Sequence, residues 1–333
     1  MGSLLIPPQL KSPLRRRLFQ ALALSALAPL AACSPPLSLN ATFLQLWRSH
    51  ADLTPEDWRL RLRSFRRLGC REIFLQWTGL EGGRPDDWMA PQALLGTLFD
   101  EAAHQGIGIH VGLPYDQRWW DMLARADTPA LAAFLDQTRE RGAAYMRGSG
   151  WNQRRAFRGW YLPYELEQYN WASAERQALL VPWLDALSRA SQETSSSVPC
   201  ISTYHSRLPG DGSLMKLWSH ILDHVGIHPM IQDGVGVAGL ENLRALEPLH
   251  DMLLARHASF DLILELFEEL PSGATDGSTF KARSADFERV REQWEVARGY
   301  GAKRIVAFAL DPWVIDDTPE ARALMQAWMD ARL

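Results

Sequence analysis

The feature that most constrains this sequence is a regular alternation of short apolar runs with longer amphipathic segments. Each apolar run precedes a segment with helical periodicity, and Gly69 and Gly106 close the first two of these helices. Eight such units in strict alternation predict a parallel sheet closed into a (β/α)8 TIM barrel, folded as a single domain. An open doubly wound sheet is the alternative, but its glycine-rich first turn is absent from this sequence. The predicted strands are 42–47, 72–77, 107–112, 158–165, 198–204, a run that ends at 233, 260–267 and 304–310.

The first 33 residues have the pattern of a targeting segment rather than of a barrel element. Four basic residues between 11 and 17 precede a short apolar stretch, 18–30, and then Ala31-Ala32-Cys33. The stretch is too short for a stable membrane span, so we expect a cleavable signal peptide. Small residues before Cys33 resemble the bacterial lipoprotein box, which implies lipidation of Cys33; an ordinary secretory signal is the alternative. Ser34 implies the outer membrane, facing the periplasm.

Removal of this signal would leave a short tether, residues 34–40, and a barrel domain, residues 41–333. The mature chain would hold 31 Lys and Arg against 39 Asp and Glu, a net charge near −8. An acidic body argues against nucleic acid or anionic lipid as a main partner, so we expect membrane attachment only through the lipid anchor. We also expect a monomer. Cys70 and Cys200 lie near strand starts and are predicted to be buried free thiols.

The predicted barrel decides where chemistry can occur, because active sites of such barrels lie at the carboxyl ends of the strands. Glu165 ends the fourth predicted strand, and Glu265 lies near the end of the seventh. An ionised group at the tip of a buried strand is costly to place unless water or partners surround it. A facing pair of carboxyls is what glycoside hydrolysis needs, one as acid and the other as nucleophile or base.

Roles for the two glutamates follow from their surroundings in the sequence. Glu165 follows a Trp-Tyr-x-Pro-Tyr run, and a dry aromatic environment would raise its pKa and suit a general acid. Successive side chains face opposite sides, so only one of Glu265 and Glu268 can point cleanly into the barrel. Glu265 is favoured as the second catalytic group because it lies within the strand; Glu268, the runner-up, and Glu269 are alternatives at the start of the loop. The alternative is that both glutamates pair with arginines in a layer of the barrel.

Candidate substrate contacts gather at the same strand ends. The sequence holds 14 tryptophans, whose flat rings with a polar edge suit sugar faces, although core packing is the alternative for many of them. Asp233 lies in a glycine-containing turn, where it could bind a sugar hydroxyl, tune a neighbouring carboxylate or cap the next helix. The predicted substrate-binding residues are Gln45, Trp47, Gln76, Trp77, Tyr115, Tyr161, Tyr204, Asp233 and Trp313.

Three histidines, His220, His224 and His228, recur every four residues. On one helix this spacing could ligate a metal ion. The run crosses Gly226 into a predicted strand, which breaks the helical face. We therefore expect no metal ion and no cofactor.

Five motifs at the predicted strand ends carry a family resemblance. They are Thr42-Phe-Leu-Gln45, Gln76-Trp-Thr78, Gly159-Trp-Tyr-Leu-Pro-Tyr-Glu165, Gln232-Asp-Gly-Val-Gly236 and Glu265-Leu-Phe267. With them the chain resembles the bacterial family named domain of unknown function 4434, a barrel group similar to retaining glycosidases. The resemblance covers most of the mature chain and implies an acid/base after strand four and a nucleophile after strand seven. Many larger retaining barrel glycosidases have Asn before the acid, where this chain has Tyr164.

The sequence thus predicts a lipoprotein glycoside hydrolase that acts on a bacterial exopolysaccharide or cell-envelope glycan, with retention of configuration. Carboxyls about 5–5.5 Å apart indicate retention, and about 6.5–9.5 Å indicates inversion. One alternative is a non-catalytic glycan-binding lipoprotein of a polysaccharide export system, which the tryptophans would serve equally well. Another is a metal-dependent polysaccharide deacetylase, which needs the histidines to converge with Asp233 at the barrel mouth.

Overall fold

A computed structural model describes residues 37–271 and 280–331, and it confirms the predicted barrel. In this part of the chain eight parallel strands pair in sequential order, and β1 closes the barrel by pairing with both β2 and β8. The strands are β1 (Ala41–Leu44), β2 (Glu72–Leu75), β3 (Gly108–Gly112), β4 (Phe157–Leu166), β5 (Cys200–Thr203), β6 (His228–Gln232), β7 (Asp261–Glu265) and β8 (Arg304–Phe308). The leader and Cys33 lie outside the described residues, so lipidation stays a prediction.

A long helix follows each strand. Their starts agree with the capping residues in the sequence: the side chains of Thr54, Asp127 and Ser173 each accept a bond from the backbone N–H three residues later. The helices are α1 (Pro55–Arg67), α2 (Gln92–Gln105), α3 (Thr128–Gly148), α4 (Ala174–Ser195), α5 (Leu214–His224), α6 (Asn242–Ala255), α7 (Phe287–Arg298) and α8 (Pro319–Asp330). None of the described helices is long and apolar enough to cross a membrane.

Short elements build the mouth of the barrel. Strands Gly79–Glu81, Trp88–Met89 and Tyr115–Asp116 form a small three-stranded sheet after β2 and β3. After β7, Phe267–Glu269 pairs with Ala282–Ser284 as a two-stranded antiparallel ribbon. These additions lie after the carboxyl ends of the strands, where a barrel carries its functional loops.

The period-two alternation of strands sorts the barrel interior into three layers. A polar layer at the strand starts contains Glu72, His110, Cys200, His228, Asp261 and Arg304. An apolar middle layer contains Ala41, Phe43, Phe74, Tyr161, Met230, Ile263 and Val306. One step further along the strands, the mouth layer contains Gln45, Gln76, Glu165, Tyr204, Gln232 and Glu265.

The polar layer at the strand starts is an ion-pair network centred on Arg304. This guanidinium donates to both carboxylate oxygens of Asp261 at 2.6–3.0 Å and to Glu72 at 2.6 Å. Burial raises the pKa of Glu72, but bonds from His110 and Arg304 outweigh burial and bring that pKa down to about 2. For Asp261 too, hydrogen bonds from His228 and Arg304 outweigh burial and lower the pKa. Buried charges at this end of the barrel are therefore paired.

The prediction of a tether over residues 34–40 is wrong for residues 37–40. Leu37 and Leu39 are buried, and the indole N–H of Trp328 donates to the Leu37 carbonyl at 3.2 Å. The indole of Trp294 likewise donates to the Ser38 carbonyl at 2.9 Å. The folded unit therefore begins at Leu37, because apolar side chains there pack against the barrel helices.

Both cysteines of the barrel are buried and unpaired, as predicted. Cys70 precedes β2, and Cys200 is the first residue of β5. Burial raises the pKa of each thiol, to about 12 for Cys200, where the charge of Asp261 adds to the increase. Such thiols are poor nucleophiles and act as core residues.

Candidate active site

Glu165 is placed at the mouth by an irregularity in β4. Leu162 pairs with Ile201 of β5, and the next pair is Leu166 with Thr203, so β4 holds two more residues than β5 over this stretch. The extra length includes Pro163, which has no N–H to donate to a ladder and is tolerated at such a bulge. The bulge turns the carboxyl of Glu165 into the mouth layer, where it is partly exposed.

Gln232 holds the carboxyl of Glu165. Its amide Nε2 donates to Oε1 of Glu165 at 2.6 Å. Loss of surrounding water raises the pKa of Glu165, and this hydrogen bond only partly offsets the effect. The raised pKa favours the protonated form of Glu165, the direction that suits a general acid.

Glu265, the last residue of β7, is 6 % exposed and lies in the same layer. Its Oε2 accepts a bond from the backbone N–H of Gly236 at 2.8 Å. A Cβ at Gly236 would lie 2.9 Å from that oxygen and 2.6 Å from the carbonyl oxygen of Phe267. Glycine is thus required at this position by the close approach of backbone and carboxyl.

The charge of Glu165 is one of those that act on Glu265. Burial raises the pKa of Glu265 to about 8, and the charges of Asp233 and Glu165 add to the increase. The backbone N–H of Gly236 and the charge of Arg289 oppose it. The carboxyls of β4 and β7 thus share one water-poor region.

Asp233 does not reach the mouth, so the prediction of a sugar contact is wrong for this residue. It follows β6 with the opposite parity to Gln232, and its side chain is fully buried against α7. Its Oδ1 accepts bonds from the backbone N–H groups of Val235 at 3.1 Å and Glu265 at 3.3 Å, and Oδ2 accepts one from Gln293. The position of Asp233 fits the other two expectations. Its side chain caps the backbone N–H of Val235, and its charge acts on the neighbouring carboxyl of Glu265.

Glu268, the runner-up on the seventh strand, lies on the antiparallel ribbon outside the barrel interior. Its carboxylate accepts two bonds from Arg283, at 2.8 and 3.0 Å, and its side chain is 46 % exposed. A carboxylate held by an arginine at the surface is typical of a structural ion pair rather than of a catalytic group. Of the two candidates, Glu265 alone occupies the mouth layer with Glu165.

Aromatic rings form a continuous arc around one side of the mouth. Trp47, 45 % exposed, packs edge-on against Trp77, which stacks with Tyr115 at 6.0 Å between ring centroids. At the other end of the arc, Trp120 is 37 % exposed. It packs edge-on against the partly exposed Tyr204, with 6.1 Å between ring centroids. The exposed indoles thus mark the two ends of the arc.

The remaining predicted substrate contacts fall at three different depths. Gln45 is partly exposed, whereas Gln76 is 8 % exposed and its buried Oε1 has no partner among the described residues. Trp313 is partly exposed and packs against Phe267 on the opposite rim. Tyr161 lies one layer below the mouth, where its hydroxyl contacts Ser202 at 2.8 Å, so the prediction of a substrate contact is wrong for it.

The three histidines do not converge with Asp233. His228 is the first residue of β6, at the opposite end of that strand, and pairs with Asp261 at 3.1 Å. His220 and His224 lie one turn apart on α5, with their rings 4.6 Å apart. The geometry required for a metal-dependent deacetylase at the mouth is therefore absent from these residues.

One group of possible metal ligands lies at the strand starts. Atoms of Cys200, His228 and Asp261 all lie within 4.8 Å of one another. The guanidinium of Arg304 already bonds both oxygens of Asp261 and lies 3.8 Å from the Cys200 sulfur. A cation there would meet a fixed positive charge, so the residues present fit a salt-bridge network better than a metal.

Comparison with known proteins places this chain in a family. The family described as Domain of unknown function (DUF4434) matches residues 39–323, nearly the whole described barrel. The chain belongs to the DUF4434 family. An uncharacterized protein of Escherichia coli (strain K12), YbcH, is 25 % identical over 282 residues, which cover 81 % of this chain and 87 % of YbcH.

Solved structures share the barrel of this DUF4434 protein. A candidate alpha-L-fucosidase from Bacteroides thetaiotaomicron superimposes with a TM-score of 0.62 at 15 % identity, covering 89 % of this chain and 96 % of the other. The GH99 endo-alpha-mannosidase of the same genus and species superimposes with a TM-score of 0.54 at 12 % identity, covering 89 % and 97 %. At these identities the likeness shows the fold.

Sequence reasoning missed four polar residues of the DUF4434 site. Gln232 had a usable signal, because it shares parity with His228 and Met230 inside the barrel, whereas Asp233 does not. Arg289 and Gln293 reach the site from α7, and Asn242 reaches it from α6. Positions on the covering helices carry no strand-end signal, so the sequence offered none for these three.

Proposed function

We propose that this protein is a glycoside hydrolase whose catalytic carboxyls are Glu165 and Glu265. The observation that carries the proposal is their shared position at the mouth. Glu265 ends β7, and Glu165 is the last residue but one of β4. Neither is paired with an arginine or lysine side chain among the described residues, and the charge of Glu165 raises the pKa of Glu265. Unpaired buried carboxyls are costly and are typical of functional sites.

In the proposed reaction Glu165 is the acid and base. Gln232 occupies Oε1, which leaves Oε2 to carry the proton. That proton passes to the glycosidic oxygen as the bond to the anomeric carbon breaks, while a carboxylate oxygen of Glu265 forms a bond to the same carbon. Glu165 then takes a proton from a water, whose oxygen attacks the anomeric carbon and frees Glu265.

The substrate class that we propose is a bacterial exopolysaccharide or cell-envelope glycan. Exposed indoles at Trp47 and Trp120 offer flat platforms at the two ends of the aromatic arc. Gln45, Gln76 and Tyr204 offer amide and hydroxyl groups for sugar hydroxyls. The buried Oε1 of Gln76, which has no partner among the described residues, favours a bound O–H donor.

We also propose that the chain is exported and lipidated at Cys33, with the barrel in the periplasm. The basic and apolar leader and the box before Cys33 support this. Mass spectrometry of the mature protein from a bacterial host should show a diacylglyceryl adduct at Cys33 that Cys33→Ser removes. An unmodified amino terminus at another residue would contradict it.

The activity is tested by incubating wild type with a panel of bacterial glycans and neutral oligosaccharides and measuring new reducing ends. We expect at least one glycan to be cleaved, with no cleavage by the double variant Glu165→Gln/Glu265→Gln. Proton NMR of the first product would give its anomeric configuration. Tight binding of a glycan that neither protein cleaves would instead favour a non-catalytic glycan-binding role.

A further inference from the structure

Two buried carboxyls lie next to each other under the candidate active site, and one cation serves both. Asp233 is fully buried and accepts a bond from the backbone N–H of Glu265 at 3.3 Å. Arg289, which is partly buried, donates to the backbone carbonyls of Glu265 and Phe267, at 2.9 Å each. Its charge acts on both carboxyls. If both were ionised, the group would hold an excess negative charge in a water-poor region.

The hydrogen bonds indicate which of the two carboxyls is ionised. Asp233 accepts three bonds, from the N–H groups of Val235 and Glu265 and from the amide of Gln293. Among the described residues, Glu265 accepts one, from the N–H of Gly236 at 2.8 Å. Hydrogen bonds to the charged form favour ionisation. Asp233 therefore carries the negative charge, and Glu265 carries the proton.

We propose that Asp233 is a positioning residue whose charge keeps Glu265 protonated in the resting protein, so that ionisation of Glu265 precedes its attack on the glycan. The role of Glu265 as the attacking group rests on the proposed function. The distribution of charge and proton between Asp233 and Glu265, here called the proton balance, does not. Ionisation releases the Glu265 proton to water, and the resulting carboxylate forms the bond to the anomeric carbon. Activity should then rise with pH through the ionisation of Glu265.

The charges around the pair agree with this assignment. Burial, then the charge of Asp233, raises the pKa of Glu265 to about 8, against the opposing effect of Arg289. Burial raises the pKa of Asp233 to about 6, against the hydrogen bonds from Gln293 and the backbone. Other charged or titratable groups that face the pair or Arg289 are Glu165, Glu268, Asp286 and Tyr300.

Carbon-13 NMR of the full chain, labelled at Asp and Glu side chains, measures this balance without substrate. The Glu265 signal is assigned by its absence in Glu265→Gln. We expect it to titrate near pH 8 in wild type and at least about one pH unit lower in Asp233→Asn. Arg289→Met removes the positive charge that opposes the effect of Asp233, so it should raise the Glu265 midpoint. Equal Glu265 midpoints in wild type and Asp233→Asn would overturn the proposal.

Asn242→Ala is the matched control. Its Nδ2 donates to the Asp233 carbonyl at 2.7 Å, so the change loosens the same turn without altering charge. The Glu265 midpoint should stay at its wild-type value, and a shift as large as that of Asp233→Asn would overturn a charge effect. If Asp233→Asn does not fold, Gln293→Met removes one donor to Asp233 and should lower the midpoint by a smaller amount; no change would count against the proposal.

Kinetics then connects this balance to the activity. On a cleaved glycan, the acid limb of the pH profile of kcat/KM should move to lower pH in Asp233→Asn, in step with the NMR midpoint. An unmoved limb beside a shifted midpoint would refute the role of Glu265 in attack. If no glycan is cleaved, the titration still decides the proton balance, so the two failures are distinguishable.

Discussion

The two ends of the barrel bury carboxyls in opposite ways. At the strand starts, Glu72 and Asp261 share the guanidinium of Arg304, and hydrogen bonds lower the pKa of both. At the mouth, Glu165 and Glu265 have amide or backbone N–H partners, and burial raises the pKa of both. Burial alone therefore does not set the charge of these groups. At the strand starts, a paired cation together with hydrogen bonds to the carboxylates favours their ionised form.

The polar layer at the strand starts is structural, whereas the mouth layer holds the carboxyls proposed for chemistry. An ion pair in the interior keeps its carboxylates ionised and inert, since their lone pairs are already bonded. The mouth carboxyls Glu165 and Glu265 have no such ion pair among the described residues, and burial favours their protonated form. All three layers are represented on β7. Asp261 lies in the polar layer, Ile263 in the apolar middle layer and Glu265 in the mouth layer.

The largest stability effect should come from the removal of the paired cation. Arg304→Met would leave the buried Asp261 and the partly buried Glu72 without their counter-charge, and we expect a loss of about 3–5 kcal/mol in the free energy of unfolding. Urea denaturation at neutral pH measures it. Arg283→Met is the matched control, because it breaks an exposed pair with Glu268 and should cost less than about 1 kcal/mol. Equal losses in the two variants would erase the distinction between the layers.

The pH dependence of stability should have opposite signs at the two ends. The pKa of Glu72, about 2 in the folded protein against 4.5 ordinarily, gives stability that is present above pH 4.5 and lost as pH falls towards 2. The pKa of Glu265, about 8, gives stability that is present below pH 4.5 and lost as pH rises to 8.

Thermal unfolding midpoints across pH 2–9 test these signs in Glu72→Gln and Glu265→Gln. The advantage of Glu265→Gln over wild type should grow between pH 5 and 8. The deficit of Glu72→Gln should instead shrink below pH 4. Parallel curves for both variants and wild type would contradict the charge states described for the two layers.

A smaller effect should follow from crowding the backbone donor of Glu265. A Cβ in Gly236→Ala would meet the Glu265 carboxyl and the Phe267 carbonyl, displacing the nucleophile, and we expect kcat on a cleaved glycan to fall about 10- to 100-fold. Gly96→Ala on α2 has open space around the new Cβ; it should keep full activity and gain up to about 1 kcal/mol. Unchanged kcat in Gly236→Ala would show that this contact is not needed.

The smallest effect should come from the exposed indoles. Trp47→Ala or Trp120→Ala should raise KM for a polymeric glycan about 3- to 10-fold, because each removes one stacking platform, and leave kcat within about twofold. Leu254→Ala removes an apolar side chain that is about as exposed as Trp47, at the end of α6, and serves as the control. A KM change as large in Leu254→Ala would indicate a non-specific effect.

Much of this molecule follows from the period of its strands. The alternation of strands and helices predicted the barrel. Parity within β7 showed that only one of Glu265 and Glu268 could point into it, and the contacts of the two residues decide between them. Parity indicates which side chains point into the barrel, but not how far along the barrel axis they lie. Tyr161, in the middle layer, therefore had the same sequence pattern as the mouth residues. Depth depends on register between strands, which the bulge around Pro163 alters by two residues.

The proposed environment of the second carboxyl could not be read from the sequence. Arg289 and Gln293 lie on α7, more than 20 residues beyond Glu265, and reach it only through helix packing. The alternative that Glu165 and Glu265 pair with arginines does not describe the mouth; the carboxyls that pair with an arginine are Glu72 and Asp261, at the strand starts. Sequence alone could not assign Arg304 to that layer, because an arginine at a strand start is equally compatible with solvent exposure.

The most direct test of the account is the activity of three single glutamate variants on a glycan that wild type cleaves. Glu165→Gln and Glu265→Gln should each lower kcat/KM at least about 10³-fold with unfolding free energy at or above that of wild type. Glu268→Gln, which breaks only the exposed pair with Arg283, should stay within about threefold of wild type. Wild-type activity in either of the first two, or a comparable loss in Glu268→Gln, would contradict the assignment of the catalytic pair.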